Sequence, residues 1–303
     1  MLPADWPEGW HLTHDVDDFL ARAGDFLRSR PALHNTPLTD IEKLRTGPPA
    51  GTADAADVPV FGRLEAGGEV RAILYLTPRG RLGLTPLSFE QVHTLAAHLA
   101  ALGHLPGYVI ADVDTAGAFA EAWPRHTGAA PTRFWWTHLY RLGTLTPPRP
   151  LPEGRGRAAG GTDRERIVRW CRAFCVDVGE QVSIDLIDAG RWDASRFGDR
   201  HFTFWEAEDG TPVAMAAATS VTGGMVRVDP VYTPAHLRGR GYAGAVTVET
   251  SGAALTAGAT DVVLFTDPAN PTSNALYQRL GYVHIADFAG YRFDYPELMG
   301  GGW

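Results

Sequence analysis

Two glycines and two arginines fall together in Arg238-Gly239-Arg240-Gly241, where an apolar run ending near Tyr232 gives way to a helix starting near Tyr242. No other stretch restricts the fold as tightly. A helix leaves its first backbone N–H groups without intrahelical partners, and its dipole is positive at that end. Gly239 and Gly241 let the backbone approach an anion closely, and Arg238 and Arg240 add charge-assisted hydrogen bonds. Residues 238–243, including Tyr242 and Ala243, therefore read as a cradle for a pyrophosphate. Two other readings fit the same residues. Gly239-x-Gly241-x-x-Gly244 satisfies an NAD(P)-type dinucleotide fingerprint, with Asp267 after Val262–Phe265 as the ribose-binding acid. Against it, Thr233–Leu237 separates the glycines from the strand end, and the upstream segment reads as an antiparallel meander. The third reading is a softened loop in a chain with 34 glycines among 303 residues.

The sequence after the glycines separates these readings. Tyr242 to Ala257 has the period of a helix, with a small inward stripe of Ala245, Val248, Gly252 and Leu255, and Gly258 stops it. The strand Val262–Thr266 runs on to Asn270 as N-cap, Pro271 at the first helical position and Gly281 as the stop. Asn274 and Tyr277, three apart, share a face of that second helix. With Arg238-x-x-Gly241-x-Ala243 preceded by Val231-Tyr232-Thr233-Pro234, and Asn270-x-x-Ser273-Asn274-x-x-Tyr277-x-x-x-Gly281-Tyr282, the segment 228–293 resembles the acyl-CoA-binding core of the GNAT superfamily of N-acetyltransferases. The resemblance implies two strands that splay apart to admit a pantetheine arm. It gives the Val231, Tyr232 and Thr233 backbone to that arm, residues 238–243 to the pyrophosphate, Asn274 to the cofactor arm, and places Tyr277 near the sulfur. Asn270 is counted with the cofactor-binding residues.

The chemistry fits these residue types. Acetyl transfer from a thioester to an amine needs a neutral amine, a polarised carbonyl and a proton for the departing thiolate. A phenol of ordinary pKa, about 10, can protonate a thiolate whose conjugate acid has a pKa of about 8.5 when the two touch. Tyr277 is the expected general acid. Asp229, two residues before Val231 and so on the same strand face by alternation, is the expected base, with Glu249 and Asp267 as alternatives. The expected function is transfer of acetyl from acetyl-CoA to a primary amine of a small molecule or peptide. A non-catalytic acyl-CoA-binding or sensing module is the other class; it would keep residues 238–243 without needing Tyr277.

A net charge of −8 argues against a nucleic-acid backbone as the main partner. Met1–Trp6 shows no apolar run, so no membrane segment and a cytoplasmic monomer or homodimer are expected. Cys171 and Cys175 stand i,i+4 on an expected helix and read as buried apolar residues; no metal is expected.

The chain divides by composition. Pro147, Pro148, Pro150 and Pro152 lead into a glycine-rich stretch, so domains at 1–148 and 162–303 flank a linker at 149–161. Thr162 with Glu165 reads as the capping box of the second domain's first helix. Phe61–Gly68 parallels Phe202–Asp209, and Tyr140-Arg141-Leu142 parallels Tyr291-Arg292-Phe293, which marks a tandem repeat. The expected fold class is α/β (α+β): two tandem GNAT-like domains, each a mixed, mostly antiparallel sheet flanked by helices. Thr85-Pro86-Leu87-Ser88-Phe89 replaces the glycine–arginine loop in the first repeat, which is thus expected to lack a pyrophosphate cradle. Ser88 and Gln91 cap its helix, His93, His98 and His104 are helix-face or loop residues, and the run Arg133–Tyr140, aromatic on both faces, is expected as a central strand at an interface.

Overall fold

The same succession of strands and helices occurs twice in a computed structural model, which describes residues 7–47 and 58–296. The first pass is β1 (Trp10–Thr13), α1 (Val16–Ser29), α2 (Asn35–Thr46), β2 (Val60–Ala66), β3 (Glu69–Leu76), β4 (Arg81–Leu84), α3 (Phe89–Ala101), β5 (Tyr108–Asp112), α4 (Val113–Thr127) and β6 (Ala130–Leu142). The second is β7 (Arg155–Ala158), α5 (Arg164–Val178), α6 (Gln181–Asp188), β8 (His201–Glu206), β9 (Pro212–Ala218), β10 (Met225–Tyr232), α7 (Tyr242–Thr256), β11 (Asp261–Thr266), α8 (Pro271–Arg279) and β12 (Tyr282–Asp294). Met1–Trp6, the stretch with no apolar run in sequence, lies outside the described residues. No helix among the described residues is long and apolar enough to cross a membrane.

The chain forms two units, Met1–Leu139 with Ile285–Trp303, and Tyr140–His284. This differs from a division at 148 and 162 in two ways. The stretch 149–161 holds β7, which pairs antiparallel with β8 from Arg155↔Glu206 to Ala158↔Thr203. The end of the chain joins the first unit, where Phe288–Arg292 of β12 pairs antiparallel with Asp112–Tyr108 of β5.

In the first unit β1, β2, β3 and β4 form an antiparallel meander, and β4 runs parallel to β5 from Arg81↔Tyr108 to Gly83↔Ile110. A parallel neighbour needs a crossover, which α3 supplies. Its core joins Val92, Leu95 and Leu99 of α3, Phe119 and Trp123 of α4, and Ala289 and Phe293 of β12. The aromatic run forms β6, a strand with a neighbour on each edge as expected, and within it Phe134 and Trp136 are 50% and 44% exposed.

The second unit repeats the plan: β7, β8, β9 and β10 antiparallel, then β10 parallel to β11 across the α7 crossover. One face packs under α7 and the other under α5 and α6. Helix α5 begins at Arg164 without a side-chain cap, because Asp163 is held by the Arg157 guanidinium at 2.8 and 3.0 Å; Thr162 is not the cap the pattern suggested. The buried face of α7 holds Gly244, Ala245, Thr247, Ser251 and Ala254, so of the expected stripe Ala245 is buried and Val248 packs at the core's edge, while Leu255 is 43% exposed. Thr247 and Ser251 enter the core because each hydroxyl donates to a backbone carbonyl one turn back, at 2.7 and 2.6 Å. The Ser251 hydroxyl also meets that of Tyr282 at 2.7 Å.

Burial raises the phenols of Tyr75 and Tyr282 above their ordinary value, Tyr282 to about 12. The fold thus favours the neutral phenols. Their contribution is complete below pH about 10 and is lost as pH rises through the folded-state values, on the order of 2–3 kcal/mol for Tyr282 alone. The denaturant midpoint is expected to fall steeply above pH about 10, and Tyr282→Phe to blunt that fall; an equally steep fall in the variant would assign the loss elsewhere.

Candidate active site

Gly239 and Gly241 have φ of +78° and +82°, and Gly241 is the N-cap of α7. Glycine adopts this left-handed conformation without the penalty a Cβ brings, and it offers no side chain to cap the helix. The first helical bond is Ala245 N–H to the Gly241 carbonyl at 3.1 Å, and among the described residues the N–H groups of residues 239–244 have no protein partner. A Cβ on Gly239 would meet nothing within 4 Å, so Gly239 is needed for its backbone angle and leaves open space beside it. The matching end of α3 is closed: Ser88 Oγ accepts from Gln91 N–H at 3.2 Å, and Gln91 Oε1 from Ser88 N–H at 2.9 Å.

The two arginines play different parts. Arg238 donates from Nε to the Thr233 carbonyl at 3.0 Å and from Nη2 to Asp177 of α5, so it closes the turn leading to the glycines. Arg240 is exposed, reaches only the His236 carbonyl at 3.5 Å, and has no carboxylate partner among the described residues. Arg240 is the cation left for an incoming anion; the equal roles expected from sequence are not what the side chains adopt.

Strands β10 and β11 pair from Met225↔Asp261 to Arg227↔Val263 and then part, although β10 continues to Tyr232 and β11 to Thr266. On its other edge β10 slips register between Val228 and Val231 against β9. The bulge adds a residue and turns the strand end away. It also breaks the alternation from which Asp229 and Val231 were placed on one face. Past the bulge, Val231 and Tyr232 pair with Ala216 and Met215 on the β9 side. Next to them the Thr233 hydroxyl is buried without a partner. Open N–H groups, a parted strand pair and an orphaned hydroxyl beside it fit a pyrophosphate-bearing cosubstrate with an extended arm.

Tyr232 lies with its ring 5.8 Å from Trp170, and burial raises its phenol. Trp192 stacks on Phe197 under α5 and α6, whereas Trp205 belongs to the α7 core with Nε1 donating to the Glu153 carbonyl at 3.2 Å; the two tryptophans do not line one cleft.

Helix α8 begins as its sequence requires, with Asn270 Oδ1 accepting from Ser273 N–H at 3.0 Å. The Asn274 amide donates to the Asp267 and Pro268 carbonyls at 3.1 and 3.4 Å and accepts from the Thr266 hydroxyl. Its donors fix the β11–α8 loop, so its contact with a cofactor arm is limited to its oxygen. Tyr277, 9% exposed, meets the Tyr282 ring edge-on at 6.0 Å, and its hydroxyl has no protein partner among the described residues. Burial, and then the charges of Tyr282 and Asp229, raise its phenol well above 10, which corrects the ordinary pKa assumed above.

Sequence reasoning missed Arg196. It donates from Nη2 to Asp229 at 3.3 Å, pairs through Nε with Glu180 at 2.9 Å, and lies 4.7 and 5.7 Å over the rings of Phe197 and Phe174. No motif contains it, because it sits in an irregular segment between α6 and β8. Cys171 and Cys175, both buried and unpaired, flank this cluster with thiols raised by burial.

Residues 166–282 match the family described as Acetyltransferase (GNAT) family. That segment is similar to the acetyltransferases of this family. Acyl transfer is that family's chemistry, and acetyl-CoA its general cosubstrate. No curated protein matches the sequence. Among solved structures, a GCN5-related N-acetyltransferase from Sphaerobacter thermophilus is 15% identical with a TM-score of 0.52, over 95% of this chain and 96% of that one. A tandem GNAT protein from the clavulanic acid biosynthesis pathway is 12% identical with a TM-score of 0.53, over 94% and 98%. A Drosophila protein is 13% identical with a TM-score of 0.58, over 94% and 99%. At these identities the likeness is one of fold, and that fold is two GNAT-like units in tandem.

Proposed function

We propose that the second unit of this GNAT protein transfers an acetyl group from acetyl-CoA to a primary amine of a small molecule or peptide. The observation that carries this reading is the parting of β10 and β11 beside the open, glycine-capped end of α7. When bound, acetyl-CoA supplies the activated thioester. Residues 239–244 offer N–H groups to its pyrophosphate, and Arg240 offers a charge. Tyr277 holds a proton for the departing sulfur, and Asp229, which accepts from Arg196, takes the amine's proton in this reading.

The test is thiol release from acetyl-CoA across a panel of primary amines. Turnover with at least one of them supports the reading; saturable acetyl-CoA binding with no turnover on any would favour a sensing module, and NADH binding without CoA binding a dinucleotide site. Arg240→Ala is expected to weaken acetyl-CoA about tenfold through loss of one charge-assisted hydrogen bond, and Arg238→Ala to weaken it less. Because Ser88 and Gln91 occupy the start of α3, calorimetry should give one CoA per chain; two equivalent sites would contradict this assignment.

A further inference from the structure

The first unit holds a cavity of about 200 Å³ where β4 and β5 part. Their pairing stops at Gly83↔Ile110; beyond it Leu84, Thr85 and Pro86 form one wall, and Ile110 and Asp112 another. Phe26, Leu33 and Phe288 make the rest of the lining largely apolar. Drug-sized ligands occupy roughly 300–1,000 Å³, so this space suits a smaller metabolite.

The polar groups on the wall are specific. His34 is 3% exposed, and its Nδ1 lies 3.0 Å from the Leu27 carbonyl, which can only accept. Nδ1 therefore carries the proton. Burial, and then the charge of Arg30, lower the ring's pKa and keep it neutral, which leaves Nε2 an acceptor with no protein partner among the described residues. Asp112 Oδ1 accepts from Thr115 N–H at 3.1 Å to cap α4, while its Oδ2 is buried with no partner. A buried carboxylate oxygen left unpaired is costly, and the groups that relieve it are donors or cations. The same lining carries two guanidiniums: Arg71, which pairs with exposed Glu69 at 2.8 Å, and Arg30, which has no carboxylate partner among the described residues.

We infer that this cavity binds a small zwitterion of the amino-acid class. Its ammonium faces Asp112 and His34, its carboxylate faces Arg30 and Arg71, and its apolar side chain lies against Phe26, Leu33 and Phe288. This site is independent of the acetyl-transfer reading of the second unit.

Calorimetry on the full chain with L-leucine and L-phenylalanine tests it. At least one should bind saturably, and phenethylamine and 3-phenylpropanoate, which each lack one charge, should bind at least about tenfold more weakly. Asp112→Asn keeps a residue that caps a helix as well as Asp does and removes only the anion, and Arg30→Gln changes an exposed position; each should weaken the amino acid about tenfold without lowering the ligand-free melting temperature. Tyr277→Phe should leave this affinity unchanged, which separates the cavity from an amine site in the second unit. No saturable binding of either amino acid at millimolar concentration would overturn the proposal. So would binding that survives both variants, or 3-phenylpropanoate binding as tightly as the amino acid.

Discussion

Replacing Tyr277 by Phe is expected to lower kcat about 10²-fold while leaving acetyl-CoA affinity unchanged, as befits a group that acts only while the thiolate leaves. The substitution is structurally mild. The ring keeps its edge-on contact with Tyr282 at 6.0 Å, and removing a hydroxyl without a protein partner leaves no orphaned group behind. Burial, and then the charges of Tyr282 and Asp229, keep the phenol protonated through the neutral and moderately alkaline range, so no limb of the pH–kcat profile up to pH about 10 should belong to Tyr277. A phenol with so high a pKa is a weak acid toward a thiolate in water. A thiolate leaving inside the same apolar surroundings is raised by the same desolvation, which narrows the gap. Steady-state kinetics beside calorimetry for CoA separates the two effects. An unchanged kcat would remove the proton donor and assign the site to binding alone.

The pyrophosphate loop was legible because its requirement is local: left-handed backbone at Gly239 and Gly241 and an uncapped helix start are written in consecutive residues. The caps at Asn270 and Ser88 were legible for the same reason. What the side chains do across longer distances was not. Arg238 and Arg240 look alike in sequence, and it is Asp177 on another helix, with the Thr233 carbonyl, that draws Arg238 away. Arg196 has no neighbour in sequence that marks it. The α7 stripe was legible only in part, because Thr247 and Ser251 count as polar until their hydroxyls are seen bonded to their own helix. The division of the chain was hidden for a topological reason, since no local pattern says that a strand at the end of the second repeat belongs to the first unit.

That strand gives the largest expected effect on stability. Phe293→Ala, near the end of the chain, should destabilise the N-terminal unit by about 3–5 kcal/mol, the usual range for emptying a buried phenylalanine site. Phe293 is 4% exposed, and its ring lies 5.9 Å from Phe119 and 6.1 Å from Trp123, both on α4. Those large, fully buried rings are held by sheet and helix and cannot readily collapse into the space. The neighbouring Tyr295 ties the same segment down: its hydroxyl accepts from Trp123 Nε1 at 2.9 Å and donates to the Pro106 carbonyl at 2.7 Å. Domain stabilities are roughly 5–15 kcal/mol, so the loss is a large share of the total. Hydrogen exchange read by segment should show α3, α4 and β5 losing protection while β8 and β9 keep theirs. Loss confined to β8–β10 instead would return the final strand to the second unit and restore a boundary near residues 148–162.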